Sequence, residues 1–382
     1  MKKQKICIIG GGLTGLITAI SLSKLNCDID LVTDNFHKNT RSNRTIAISE
    51  NNFIFLEKQN ISRELRKIIW PSHIMKLYSE VKNKRFSKIF ELNNNEKNIV
   101  LYMTQNSKIM KLMMNKIKKI KSISIKRHDK INTISNSGLL KSVKFNKNNS
   151  RYNLVILCVG NNSNIVKNFF GDKKIENSYN ESAITTILNH KSLKNNTVRQ
   201  IFFDKEILAL LPISNKKTSI VWTIKKDIYK KKDYFFKKKI KLYTKNFLKD
   251  VKFEKKIEHY DLNALIRKKY YKDRVLLFGD ALHKVHPFTG QGFNMILRDL
   301  INLEKTLKNK ISLGLDIGSE DVLSEFSESA KPRNLSYMIA NNFMKSFFSI
   351  DDKNFKHLRN TIITNLNKNS ITKDFFRNVM SK

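Results

Sequence analysis

Acidic residues, cysteine, proline and glycine are all scarce in this sequence, and each shortage excludes something. The three cysteines, Cys7, Cys27 and Cys158, are an odd number without metal-ligand or redox spacing. They read as buried, reduced core residues of a cytosolic protein, not as a disulfide framework. Four prolines and twelve glycines in 382 residues exclude a collagen-like or linker-rich chain. The apolar run after MKKQK breaks at Gly10 to Gly12, too short for a signal-peptide core or a membrane span. Only 33 acids stand against 73 Lys and Arg, a formal charge of +40. That excess invites a nucleic-acid reading, but Lys, Asn and Ile are spread over the whole chain, as an AT-rich coding sequence would produce. No zinc-finger, RNP-type or zipper pattern is present, so nucleic acid is not an expected partner. Weak, salt-sensitive attraction to anionic membranes is expected, at about 1 kcal/mol per basic residue near the surface. The expected setting is the cytoplasm, peripheral to the inner membrane.

What remains is a globular composition, 40% hydrophobic and 28% charged, with length enough for one large or two medium domains. A β-rich run from Lys5 to Ile9 leads into Gly10-Gly11-Gly12-Leu13-Thr14-Gly15. A helical pattern follows, with Leu13, Leu16, Ile17 and Ile20 on one face, and then a second strand through Ile29, Leu31 and Val32. That order predicts a βαβ unit in which Gly10, Gly12 and Gly15 turn tightly, bring backbone N–H groups to a pyrophosphate and pack helix on strand. Asp34 lies at about the spacing expected of an acid for ribose hydroxyls, although Thr33 holds the first place to look; a turn residue is the other reading of Asp34.

Further strands are predicted from Tyr152 to Val159, ending at Gly160, and from Arg274 to Phe278, ending at Gly279-Asp280. Between residues 180 and 265 the pattern turns β-rich, around a helical run with Phe236, Ile240, Tyr243 and Phe247, and carries no glycine motif. It predicts a substrate-side sheet inserted into the nucleotide-binding domain. The expected division is 1–75, 100–180 and 265–330 for the cofactor, 76–99 and 181–264 for the substrate sheet, and a helical tail at 331–382. Asn/Lys-rich stretches near 93–98 and 146–150 are expected as surface loops.

The second constellation runs from Gly279 to Asn294, GDALHKVHPFTGQGFN. A carboxylate at Asp280 can accept hydrogen bonds from a sugar-alcohol chain. Exposed N–H groups at Gly292, Phe293 and Asn294 can receive the negative charge that a reduced flavin develops. His283 and His286 have no third ligand nearby, so no metal is expected.

Together these stretches resemble the FAD-dependent aromatic-ring hydroxylases, and among them the ubiquinone-biosynthesis hydroxylases of UbiH and UbiF type. His286-Pro287-x-x-Gly290-Gln291-Gly292-x-Asn294, with Asp299, follows that family's C-terminal signature, and Arg44-Thr45-Ile46-Ala47-Ile48-Ser49 is similar to its R-A-I-A-L-S segment. Leu208 to Pro212 and Ser219 to Trp222 are similar to the stretch that borders its substrate. The likeness runs from about residue 5 to about residue 345.

The resemblance implies an α/β fold: a Rossmann-like FAD-binding domain of the GR2, para-hydroxybenzoate-hydroxylase-like kind, with an inserted β-sheet domain and a helical C-terminal tail. It implies FAD as cofactor, NAD(P)H as co-substrate, and O2 and a polyprenylphenol as substrates, joined through a flavin C4a-hydroperoxide, with a quinone-biosynthesis complex as a partner. Asp280 would hold the ribityl chain, Pro287 would lie beside the flavin ring, and Gly290 to Asn294 would face its pyrimidine side. Arg44 would sit near the pyrophosphate or ring, unless it is a solvated surface residue, and Pro287 could equally be a helix-entry proline. Pro287, Gly290 and Gln291 are the expected catalytic positions. Gly10, Gly12, Leu13, Thr14, Gly15, Asp34, Arg44, Lys108, Gly160, Gly279, Asp280, Pro287, Gly290, Gly292, Phe293 and Asn294 are the expected cofactor contacts.

Several residues depart from the family pattern. Val159-Gly160 stands where the family has Asp-Gly, Lys108 where it carries a phosphate-gripping Arg, and Ile296 where it has glycine; Phe288 and Thr289 are larger than usual. A catalytically weak FAD-binding component of a biosynthetic complex, or another flavin oxidoreductase of this fold, are the rival expectations. Phe343, Phe347 and Phe348 in the tail read as a core face or as a membrane contact.

Overall fold

The computed structural model describes residues 3–33, 42–80, 86–93, 99–127, 131–145, 148–160, 163–171, 173–203, 206–286, 290, 292–350 and 352–368. Asp34, Pro287, Phe288, Thr289 and Gln291 lie outside these residues.

Gln4–Ile9 carries Ile6, Cys7 and Ile8 completely buried, as the central strand of a sheet covered on both faces must be. The helix Leu13–Leu22 follows the glycine turn, and Cys27–Thr33 returns parallel, pairing Ile6 with Ile29 and Ile8 with Leu31. On the other side of the first strand Leu154–Leu157 is parallel, and Val275–Leu277 extends the sheet beyond it. Ile123–Arg127 closes the far side and the antiparallel Tyr271–Lys272 the near edge. Strands from residues 4, 154 and 275 are thus immediate neighbours, and their carboxyl ends share one edge.

The larger sheet has nine strands, built mainly from residues 174–267 with Ile74–Glu80 and Phe86–Asn93 at one side. Strict alternation gives it two different faces, because a one-residue slip would exchange them. Ile184, Leu188, Leu208, Leu210, Ile220 and Trp222 point to one face, covered by Phe236, Ile240 and Tyr243 of the helix Asp233–Thr244. On the opposite face Met75, Val198 and Leu211 meet Ala47, Leu101 and Met103 from a small sheet of Thr45–Ile48, Trp70–Ser72 and Leu101–Gln105.

Residues 148–150, the described part of the expected loop at 146–150, are strand. Asn148–Tyr152 is the last strand of a three-stranded antiparallel sheet, pairing Tyr152 with Lys141 and Ser150 with Val143. Its polar composition hides the strand, whose order comes from ladder hydrogen bonds and from Tyr152, which is buried and donates to the buried carboxylate of Asp30 at 2.8 Å. The predicted strand from Tyr152 to Val159 accordingly splits, and its parallel part is only Leu154–Leu157. The three cysteines are buried and free. The long helix Glu320–Ser349 and the helix Lys353–Leu366 are the last elements among the described residues.

Candidate functional site

The carboxyl edge of the parallel sheet gathers the glycine motifs. Gly10 has φ +130, and a Cβ there would stand 2.4 Å from the carbonyl oxygen of Cys158. A Cβ at Gly15 would lie 1.9 Å from the Gly10 carbonyl oxygen. These two glycines let the first strand, its helix and the strand ending at Leu157 close on one another. Gly12 is different: its Cβ would meet nothing within 4 Å. Packing leaves room at Gly12, and as the N-cap of the helix Leu13–Leu22 it has no side chain to satisfy the first N–H groups. A pyrophosphate fits that opening, since the helix end offers it both donors and the positive end of the dipole. Leu13 and Thr14, in the first turn, are half-buried; the Thr14 methyl would be 2.5 Å from a Cβ at Gly279, whose φ is +65.

At the end of Cys27–Thr33, the Thr33 hydroxyl is buried without a hydrogen-bond partner among the described residues. Gly160, three residues beyond the strand Leu154–Leu157, stands in the open, while Val159 before it is half-buried and packs on the core. Asp280 sits in the short turn after Val275–Leu277. Gly279 and Ala281 are buried and Asp280 is exposed, so its carboxylate leaves the strand end for solvent and needs no buried counter-charge. Together the open Gly12, the unpaired Thr33 hydroxyl and the exposed Asp280 fit an extended dinucleotide lying across these strand ends.

Gly290, with φ +67, would bring a Cβ within 3.5 Å of Ala47. Gly292 starts the helix Gly292–Ser312 with open space beside it, and Phe293 is half-buried against the core. The Asn294 side chain is buried and fully engaged. Its amide nitrogen donates to the Ala47 carbonyl at 3.0 Å, and its oxygen accepts from Asn52 at 3.1 Å and from the backbone N–H of Ser49. Ile296 fills a buried core position.

Arg44 is exposed, its guanidinium 3.8 Å above the ring of Tyr260. Tyr260 donates to Glu258, which also accepts the Asn43 backbone N–H at 3.0 Å. Burial raises the Tyr260 pKa, and the hydrogen bond to Glu258 adds to the rise, so the phenol stays protonated. Lys108 is exposed in the first turn of Asn106–Ile117.

Ala47 also borders the inner face of the large sheet. One register line crosses that face through Thr185, Val221, Ala209, Gln200 and Leu77. Val221, Ala209 and Leu77 remain half-buried, while Val198, Leu211 and Met75 on the next line are buried. This less covered apolar strip, next to Ala47 and hence to Gly290, is where a flat apolar ring can be held.

His286, just before the signature proline, is buried, its Nε2 3.1 Å from Glu181, which also pairs with Lys345 at 3.0 Å. Its ring meets Tyr179 edge-on at 4.8 Å, and its carbonyl accepts from Asn341. His283 pairs with Asp299 at 2.7 Å, and Asn334 donates to the same carboxylate oxygen. Both histidines are committed to carboxylates, and no cluster of metal-ligating side chains is present among the described residues. Tyr260, Glu258, Asn52 and Glu181 were missed in the sequence because they support the site from distant strands and helices, without any local motif.

A family model described as an FAD binding domain matches residues 3–334. The chain is 28% identical over 177 residues to ubiquinone hydroxylase UbiL of Rhodospirillum rubrum, an alignment covering 45% of this chain and 41% of that protein. It is 24% identical over 289 residues to the ubiquinone biosynthesis monooxygenase COQ6 of Dictyostelium discoideum, covering 63% and 58%. The chain thus spans about half the length of the curated relatives it matches. Among solved structures it is similar to p-nitrophenol 4-monooxygenase PnpA of Pseudomonas putida, with TM-score 0.80, 14% identity and coverage of 99% and 98%. HpxO of Klebsiella pneumoniae, solved with FAD and uric acid, gives TM-score 0.75 at 12% identity, covering 99% and 96%. At such identities the structural likeness establishes the fold alone: an FAD-binding monooxygenase fold of the para-hydroxybenzoate-hydroxylase kind.

Proposed function

Because the chain belongs to the FAD-binding-domain family, we propose that it is a flavin-dependent monooxygenase that hydroxylates the aromatic ring of a polyprenylated phenol in ubiquinone biosynthesis, with NAD(P)H and O2 as co-substrates. The observation that carries the proposal is the meeting, at one sheet edge, of the open Gly12 helix start, Thr33 and Asp280, with the half-buried apolar strip beyond Ala47. The relatives named for ubiquinone hydroxylation support the substrate class.

Bound FAD would supply electron transfer from NAD(P)H to O2 and delivery of one oxygen atom to the ring. Gly10 to Gly15 would cradle its pyrophosphate, Asp280 would accept from the ribityl hydroxyls, and Arg44 and Lys108 would balance negative charge. Gly160, Gly279 and the segment from Pro287 to Asn294 would line the cofactor, with Pro287, Gly290 and Gln291 nearest the reacting atoms. Val221, Ala209 and Leu77 would hold the ring flat and exclude water, which protects a reactive oxygen donor from hydrolytic loss. In this reading residues 1–75, 100–180 and 265–330 serve the cofactor, 76–99 and 181–264 the substrate, and 331–382 form the tail.

One observation favours a second reading. Val159 packs a hydrocarbon side chain on the core where the resembled family presents an acid, as suits an FAD-binding component of a quinone-biosynthesis complex with slow turnover. Val159→Asp raising NAD(P)H oxidation at least tenfold would support it.

The test is the visible spectrum of the purified protein, followed anaerobically as NADH or NADPH is added with a short-tailed polyprenylphenol. Flavin bands that bleach, then return in air with hydroxylated product, support the monooxygenase. Bound flavin that never bleaches supports the second reading, and protein that takes up no flavin overturns both.

A further inference from the structure

We propose that the outer faces of the last two helices dock the protein on an anionic lipid bilayer. Fifteen large hydrophobic side chains are exposed in the described structure, and seven of them lie between residues 335 and 366. On Glu320–Ser349 they are Leu335, Ile339 at 58% and Phe343 at 64%; on Lys353–Leu366 they are Leu358 at 55%, Ile362 at 43% and Leu366. Each set repeats at i, i+4 and i+8, so each is one stripe along its helix. Ile350, also exposed, lies in the connection between them, and the Phe347 and Phe355 rings pack 5.7 Å apart across it.

Charge separates a bilayer from the other occupants. From Asn334 to Ser349 the sole charged residue is Lys345, and it is turned inward onto Glu181. Arg359 is likewise buried, donating to the Phe347 and Phe348 carbonyls. The stripe on the long helix therefore has no charge along its length, with Lys331 and Arg333 exposed at its start. Over residues 329–368 the sequence has five Lys and Arg besides the inward-turned Lys345 and Arg359, against two acids. Apolar stripes flanked by cations fit the interface of an anionic membrane. A second copy of a chain at +40 would meet the same stripes with like charge.

The surface also leads to the candidate site. Ile362 faces solvent while its neighbour Ile363 packs against the same hydrophobic cluster that Leu77, Ala209 and Val221 border. The stripe and the apolar strip thus border one hydrophobic cluster from two sides, so a lipid-tailed molecule would leave the bilayer close to its site. In that respect the inference deepens the proposed substrate class, but its test needs neither turnover nor flavin reduction.

The experiment is flotation of the FAD-loaded protein with phosphatidylcholine vesicles, with and without phosphatidylglycerol. Wild type is expected to float with the anionic vesicles and to retain part of its binding at high salt. The pairs Ile339→Asp with Phe343→Asp and Leu358→Asp with Ile362→Asp are each expected to weaken partitioning about tenfold or more, with the melting temperature and bound flavin unchanged. Should a pair fail to fold, Phe343→Trp is expected to give a blue-shifted emission difference on anionic vesicles, while Leu139→Trp, on a remote exposed residue, gives none. Absence of wild-type binding, binding abolished outright by salt, unchanged binding in both pairs, or no shift in Phe343→Trp would each overturn the proposal. So would a wild-type dimer that Phe343→Asp dissociates.

Discussion

The side-chain oxygen of Asn294 accepts the backbone N–H of Ser49 at 3.0 Å, joining residues 245 positions apart. The same side chain donates to Ala47, so Asn294 fixes the strand Thr45–Ile48 beside Gly290. Asn294→Ala leaves a buried N–H and a buried carbonyl unpaired, at about 1–3 kcal/mol each. The expected loss of stability is about 3 kcal/mol by denaturant titration, accompanied by weaker FAD binding. Unchanged stability would mean that the clamp is not maintained in solution.

The three glycines of the first turn should separate by what they touch. Gly10→Ala and Gly15→Ala place a Cβ against backbone oxygen and should yield little folded protein. Gly12→Ala meets no protein atom, so its apoprotein should melt within a few degrees of wild type while its FAD dissociation constant rises at least tenfold. A Gly12→Ala protein that binds FAD normally would move the pyrophosphate elsewhere.

Acid should weaken the fold through His286. Burial holds its pKa below the ordinary histidine value; Glu181 pulls it back up and Lys345 pushes it down. With the folded pKa below the unfolded value of about 6.5, the unfolded chain binds the extra proton first. Stability is therefore complete above that value and is lost as pH falls through it, until the folded pKa is reached. His259, also lowered by burial against the pull of Asp233, acts in the same direction. Melting temperature should fall between pH 7.5 and 5.5, and His286→Gln should flatten the slope. An equal slope in both proteins would remove His286 as a source.

The cysteines should be silent in the native state. Burial pushes the Cys158 thiol up to about 12 and Cys27 to about 11, and raises Cys7 well above its ordinary value. A thiol reagent at neutral pH should label none of them within minutes, and all three once the chain is unfolded. Rapid labelling of Cys158 would mean that the crossing beneath Gly10 opens readily.

The βαβ unit was legible because glycines mark its turn and because a short, unbroken apolar strand suits a sheet covered on both faces. The inserted sheet was legible from the β-rich runs between residues 180 and 265. Asn148–Tyr152 was not, since its pairing depends on backbone ladders and on one buried tyrosine that meets Asp30 122 residues away. The motif residues of the site could be read in sequence, but their supports could not. Glu181 beneath His286, Glu258 beneath Asn43 and Tyr260 beneath Arg44 are meetings of ordinary residues across more than a hundred positions. The exposure of Asp280 was also hidden, because the strand before it is buried to its last residue.

The order of the parallel sheet constrains how the protein is made. Gln4–Ile9 has as one neighbour a strand from residue 154, which in turn borders one from residue 275. During synthesis the first glycine turn therefore emerges long before the segment that completes its cradle, with one edge of its sheet unpaired in the meantime. A ribosome stalled before residue 275 would carry half a cofactor site and an open strand edge, a form better recognised by chaperones and proteases than by FAD.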